Sequence, residues 1–67
     1  MKGEITEFGR KIEILMARNG MTQAELAEKT GMLRGNINQL KKSEKPRPVT
    51  IHKLSEAFGV PVEYFFD

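Results

Sequence analysis

Glycine and proline divide this sequence so often that only short helices can fit between them. Gly20, Gly31 and Gly59 each close a segment of helical character, and Pro46 and Pro48 forbid a continuing helix across residues 43–49. In the first segment Ile5, Phe8, Ile12, Leu15 and Met16 recur three and four apart, which predicts one apolar helix face. Thr6 is placed to cap that helix, Gly20 stops it, and Ile14 falls off its apolar face. The next segment opens with Thr22-Gln23-Ala24-Glu25. In that pattern the Thr22 hydroxyl accepts from the Glu25 N–H and the Glu25 carboxylate accepts from the Thr22 N–H. Thr30-Gly31 ends this helix soon after its inward pair, Leu26 and Ala27.

A third helix is expected from about Leu33 to Lys42, with Ile37 and Leu40 inward. Thr50 is expected to cap a fourth, with Ile51, Leu54 and Phe58 inward. Pro61 is expected in the first turn of a last short helix, where Val62, Phe65 and Phe66 are apolar. No alternating strand pattern persists. The expectation is a compact, all-α, five-helix domain over residues 1–67.

Size limits what can hold such a domain together. The chain has 67 residues, no cysteine and one histidine. A domain of this length buries only ~60% of its unfolded surface. Neither disulfides nor a thiolate metal site can brace it, and one histidine argues against zinc. Stability has to come from apolar packing, with or without a second chain. The same composition offers no catalytic constellation: no cysteine, one histidine and no paired carboxylates on a common face. Neither an enzyme nor a cofactor site is expected, and no small-molecule substrate is evident. No apolar run approaches the ~20 residues of a membrane span. Met1-Lys2-Gly3-Glu4 does not begin a secretory signal. A cytoplasmic location and no membrane partner are the expectation.

The net charge of +2 conceals an uneven distribution. Residues 34–49 carry Arg34, Lys41, Lys42, Lys45 and Arg47 against Glu44 alone, a local +4, while residues 50–67 sum to −2. A basic segment of this kind is either a solvated surface or a nucleic-acid footprint. Charge alone does not separate the two, and the position of the segment favours the second. Residues 23–42, QAELAEKTGMLRGNINQLKK, join a capped helix to a second helix through Gly31. Ala27 is small where the two helices approach, and Leu26, Ile37 and Leu40 anchor both. In a helix-turn-helix the first helix crosses the DNA backbone and the second enters the major groove.

The sequence resembles the phage repressor and Cro family of helix-turn-helix regulators over nearly its whole length. GMTQAELAEKTG, the INQL after it, the basic proline-containing loop and LSEAFGVPVEYFF carry the resemblance. It implies the lambda-repressor-like fold and binding to double-stranded operator DNA, usually as a homodimer on a two-fold symmetric site, mostly as a repressor. It implies base-edge contacts from Arg34, Gly35, Asn38 and Gln39, a phosphate contact from Gln23, and backbone contacts from the loop that holds Arg47. The sequence departs from the family where a serine or threonine often opens the reading helix. Here Leu33 stands, able to meet a thymine methyl. Gly35 takes a position often held by a reading side chain. An arginine–glutamate pair common in the family is replaced by Met16 and Lys41, which leaves Lys41 available to phosphate. Ser43 replaces a glycine that often ends the reading helix.

Side-chain chemistry fits these roles. Arginine binds guanine bidentately, and asparagine and glutamine bind adenine, so Arg34, Asn38 and Gln39 are the expected readers. Thr22, Gln23, Asn36, Lys41, Lys42, Lys45 and Arg47 are the expected phosphate set. Tyr64, Phe66 and Val62 exceed what so small a core can hold and are expected at a dimer contact. The rival reading is a protein-interaction module, such as an antitoxin-type accessory subunit, built on the same fold.

Overall fold

The computed structural model describes residues 4–66. Four α-helices follow one another: α1 (Glu7–Asn19), α2 (Gln23–Thr30), α3 (Arg34–Leu40) and α4 (Pro48–Phe58). A 3-10 helix over Val62–Phe65 closes the described chain. The molecule measures 30 × 24 × 21 Å. Ile12, Leu26, Ile37 and Leu54, one from each α-helix, are fully buried at its centre. Phe8, Leu15, Leu40, Ile51, Phe58 and Phe65 surround them. Burying such a side chain contributes ~1.5–3 kcal/mol relative to leaving it in water. Phe8 and Phe65 meet edge to face with ring centroids 5.7 Å apart, which docks the closing helix on α1.

The helix boundaries follow the local chemistry, with four differences from the sequence reading. The fifth element is a 3-10 helix rather than a fifth α-helix, and Pro61 precedes it as its N-cap instead of lying in its first turn. Second, α4 starts at Pro48, so Thr50 is inside the helix and not its cap. Proline's fixed φ suits the first helical position, where its missing N–H costs nothing. Third, α3 spans only Arg34–Leu40, with Leu33 and Lys41 as its flanking caps. Beyond Leu40 the chain tightens: the Lys42 N–H donates to the Gln39 carbonyl at 3.0 Å and the Ser43 N–H to the Leu40 carbonyl at 3.1 Å. Fourth, Ile5 precedes α1 and is exposed rather than part of its buried face.

One tertiary contact was not evident from apolar spacing. The first turn of α1 lies directly on the end of α3. The Thr6 N–H donates to the Lys41 carbonyl at 3.0 Å. The Thr6 hydroxyl accepts from the Gly9 N–H at 3.2 Å and donates to the Ser43 carbonyl at 2.7 Å. One threonine thus caps α1 and ties it to the turn after α3. The approach is close enough that a Cβ on Gly9 would overlap the Lys41 carbonyl, with the carbonyl carbon only 2.6 Å away.

Replacing a helical glycine by alanine ordinarily stabilises a helix by up to ~1 kcal/mol. At Gly9 the sign reverses: Gly9→Ala loses ~1–3 kcal/mol, because backbone atoms have to move to admit the methyl group. Gly35, where a Cβ meets nothing within 4 Å, keeps the ordinary sign. Urea unfolding of Gly9→Ala and Gly35→Ala side by side measures both; equal shifts of the same sign would show that α1 does not press on α3 this closely.

Candidate nucleic-acid interface

The α2–α3 unit is built from its ends inward. At the start of α2 both bonds of the capping box are present: the Glu25 N–H donates to the Thr22 hydroxyl at 3.1 Å, and the Thr22 N–H to the Glu25 carboxylate at 2.8 Å. The box takes up the N–H groups of Thr22 and Glu25. Those of Gln23 and Ala24, in the same first turn, are not part of it. At the other end Gly31 has φ 72°, the left-handed conformation that side chains with a Cβ rarely adopt. The turn is closed by the Met32 N–H donating to the Ala27 carbonyl at 3.0 Å. The buried Thr30 hydroxyl satisfies itself on the Leu26 carbonyl at 2.8 Å. Ala27 is buried beside Leu26 and Ile37, so the two helices meet at a small side chain.

That packing sets the outer side of α3. Ile37 and Leu40 point into the core, while Arg34, Gly35, Asn36, Asn38 and Gln39 are exposed. Leu33 is 74% exposed just ahead of them, with no polar atom to cap the helix. Seven residues make a helix ~10 Å long, and an α-helix with its side chains, ~10–12 Å across, is what a major groove ~12 Å wide admits. Every residue named from the sequence as a base reader is therefore exposed: Arg34, Gly35, Asn38 and Gln39 on α3, and Leu33 as its N-cap.

The expected phosphate set does not all fall in one place. Gln23 is half-buried at the start of α2 and Thr22 is exposed beside it. Asn36, Lys45 and Arg47 line an open polar groove of about 610 Å³ between α3, the loop and the start of α4, together with Gln39 and Thr50. No side chain caps α4 at Arg47, so the helix start opens near this groove without a competing acceptor of its own. Lys42 is exposed at the end of α3. Lys41 is different. Its side chain is only 12% exposed, and its ammonium group lies 3.6 Å from a Glu13 carboxylate oxygen on α1. The sequence reading left Lys41 available to phosphate; the structure turns it away toward α1 instead. A cation at the C-terminal end of α3 also interacts favourably with the helix dipole.

The three residues expected at a dimer contact also separate. Val62 and Tyr64 are half-buried and pack against the core. The Tyr64 carbonyl accepts from Lys11 Nζ at 3.1 Å, and the same ammonium group stands 5.8 Å from the Tyr64 ring centroid. Phe66 is 66% exposed and edges a groove of about 420 Å³ that is lined by Phe8, Ile51 and Phe65 and also by the charged side chains of Glu7, Lys11, Glu44 and Lys45.

Two features of the site were missed from sequence. Gly9 is one; a lone glycine inside a helical pattern was its available signal. The other is a hydrogen bond from Gln23 Nε2 to Asn38 Oδ1 at 3.3 Å, which joins the expected phosphate contact to an expected base reader. Nothing in the linear spacing of two exposed amides announces that bond.

A protein-family model described as helix-turn-helix matches residues 12–65, from the middle of α1 to the end of the closing 3-10 helix. No helix among the described residues is long and apolar enough to cross a membrane.

The Glu13–Lys41 contact is partly open to solvent, and such pairs contribute ~0–1 kcal/mol. Lys41→Met keeps the packed stem and removes the charge. Its expected cost in low-salt urea unfolding is under ~1 kcal/mol, and the difference should shrink as salt screens the pair. A larger, salt-independent loss would mean that the stem, not the charge, holds α3 to α1.

Proposed function

The chain belongs to this helix-turn-helix family of DNA-binding transcription regulators, and we propose that it reads a two-fold symmetric operator as a homodimer and acts as a repressor. The observation that carries this reading is the outer surface of α3. Its exposed side chains are the types that read base edges, and the basic loop that follows lies at its side.

In this reading α3 lies in the major groove. Arg34 is the guanine reader, through the bidentate pairing with O6 and N7. Gln39 and Asn38 contact the next base edges, and Leu33 meets a thymine methyl. Gly35 brings the α3 backbone close to the bases and reads nothing through a side chain. Gln23 and Thr22 hold one phosphate at the start of α2, where free backbone N–H groups also favour an anion. Asn36, Lys42, Lys45 and Arg47 hold the backbone on the other side of α3. Lys41, paired with Glu13, leaves this set. Two copies place two such helices about one helical turn apart, ~34 Å. Phe66, the most exposed aromatic residue, is the apolar centre of the contact between copies, and the half-buried Val62 and Tyr64 join it. Repression then needs only occupancy of the operator.

Selection of bound sites from random duplex DNA tests binding, symmetry and half-site spacing together. Arg34→Ala is expected to lose ~1–3 kcal/mol of discrimination at one G·C pair per half-site. Lys42→Ala is expected to weaken all sites alike and to reduce the salt slope by about one. Lys41→Met is expected to leave that slope unchanged. Absence of DNA affinity at low salt would favour the protein-interaction reading.

Phe66→Ser is expected to weaken association between copies without unfolding the chain, since the ring is mostly in water. Sedimentation equilibrium of the wild-type chain and Phe66→Ser, free and on DNA, measures this. A wild-type chain that binds one half-site and remains monomeric on a full site would remove the homodimer from the proposal. A reporter placed downstream of the selected site distinguishes repression from activation.

A further inference from the structure

Asn19 and Gly20 form the joint at which α1 ends and the chain turns toward α2. Of the three asparagines, Asn19 alone is followed by glycine; Ile37 follows Asn36 and Gln39 follows Asn38. That dipeptide carries its own chemistry. The backbone nitrogen after an asparagine can attack the side-chain amide carbon, and glycine crowds that nitrogen least because it has no Cβ. The fold holds both reacting groups. The Asn19 amide nitrogen, which has to leave, donates to the Leu15 carbonyl at 2.7 Å. The Gly20 N–H, which has to lose its proton, donates to the Ala17 carbonyl at 3.2 Å. The Met21 N–H closes the turn on the Met16 carbonyl at 2.9 Å, and both methionines pack against the core. Asn19 and Gly20 are themselves exposed, so water reaches the joint.

We propose that Asn19-Gly20 is a modification site gated by the fold: the asparagine converts to an acid when the last turn of α1 opens, and the folded turn protects it. In the open chain the Gly20 nitrogen loses its proton to solvent base and bonds to Asn19 Cγ. The Cγ–Nδ2 bond breaks and the side-chain nitrogen departs as ammonia, leaving a cyclic imide. Water then adds at either imide carbonyl, and the ring C–N bond at that carbon opens. The products are aspartate and its isomer with the main chain routed through Cγ; nothing is oxidised or reduced. Neither carboxylate can donate to the Leu15 carbonyl as the Asn19 amide does. The new charge also stands at the negative end of the α1 dipole, offset in part by Lys29, which lines the same open recess as Asn19. Conversion therefore falls on chains that have opened and favours their opening again, a one-way limit on the working life of the domain.

The test is peptide mapping by mass spectrometry of the wild-type chain held in alkaline buffer, with and without denaturing urea. Asn36 and Asn38 in the same digest are internal references. In urea, aspartate and its isomer are expected to accumulate at Asn19 well ahead of Asn36 and Asn38. In the folded chain conversion at Asn19 is expected to be slower by about tenfold or more, because opening this turn frees Met16 and Met21 from the core. Conversion as fast in the folded chain as in urea would overturn the gate. No lead over Asn36 and Asn38 in urea would overturn the site itself. Asn19→Asp reproduces one of the two products. Urea unfolding of that variant is expected to show the folding equilibrium moved toward the open chain about three- to tenfold, the worth of one hydrogen bond. Unchanged or greater stability would overturn the one-way limit.

Discussion

The Lys41 carbonyl at the end of α3 rests against the bare α-carbon of Gly9 and accepts the Thr6 N–H at 3.0 Å. The direction in which α3 presents its side chains depends on this contact. A helix of seven residues without a side-chain cap has little stability of its own, because helix nucleation is costly and so short a run repays little of it. Its order is borrowed from tertiary contacts. Ile37 and Leu40 fix one side to the core, and the α1 start fixes the far end through the Thr6 hydroxyl and the Ser43 carbonyl. At the near end the Gly31 turn sets the angle to α2. The exposed side of α3 is thus free of structural duty, and its residues can be chosen for what they touch outside the protein.

The features legible in the sequence are those written in local chemistry. The capping box at Thr22 and Glu25, the glycine stop at Gly31 and the inward positions of Leu26, Ile37 and Leu54 all follow from side-chain type and spacing. The same reasoning misplaced Thr50, because two local signals competed. A threonine suits an N-cap, but Pro48 suits the first helical turn and lies two residues earlier. Ile5 fitted the three-and-four spacing and still lies outside the core, because the helix begins after Thr6. The clamp at Gly9 and the link between Gln23 and Asn38 depend on how distant segments meet. Neither has a linear signature beyond an unusual glycine in one case and two unremarkable amides in the other.

Charge behaves similarly. The sequence places a local +4 in residues 34–49, and the fold divides it. Lys41 is turned back to Glu13, so one of the five cations stabilises the docking of α3 on α1. Lys45 and Arg47 flank the polar groove beside Asn36 and Gln39, and Lys42 faces solvent. An arginine and a glutamate are expected by family resemblance at Met16 and Lys41. The chain instead joins the same two helices with the signs exchanged and the α1 partner at Glu13. Lys41 therefore could not be assigned from its charge alone.

Gly35 bears on change rather than on stability. It lies on the exposed side of α3, in ordinary helical conformation, with open space where a side chain would begin. Neither the core nor the turn depends on it. A side chain acquired there would meet only water or a base edge, so the fold places no brake on what it becomes. If α3 reads DNA as proposed, the position is a blank in that surface, which one codon can fill while every packed residue stays as it is.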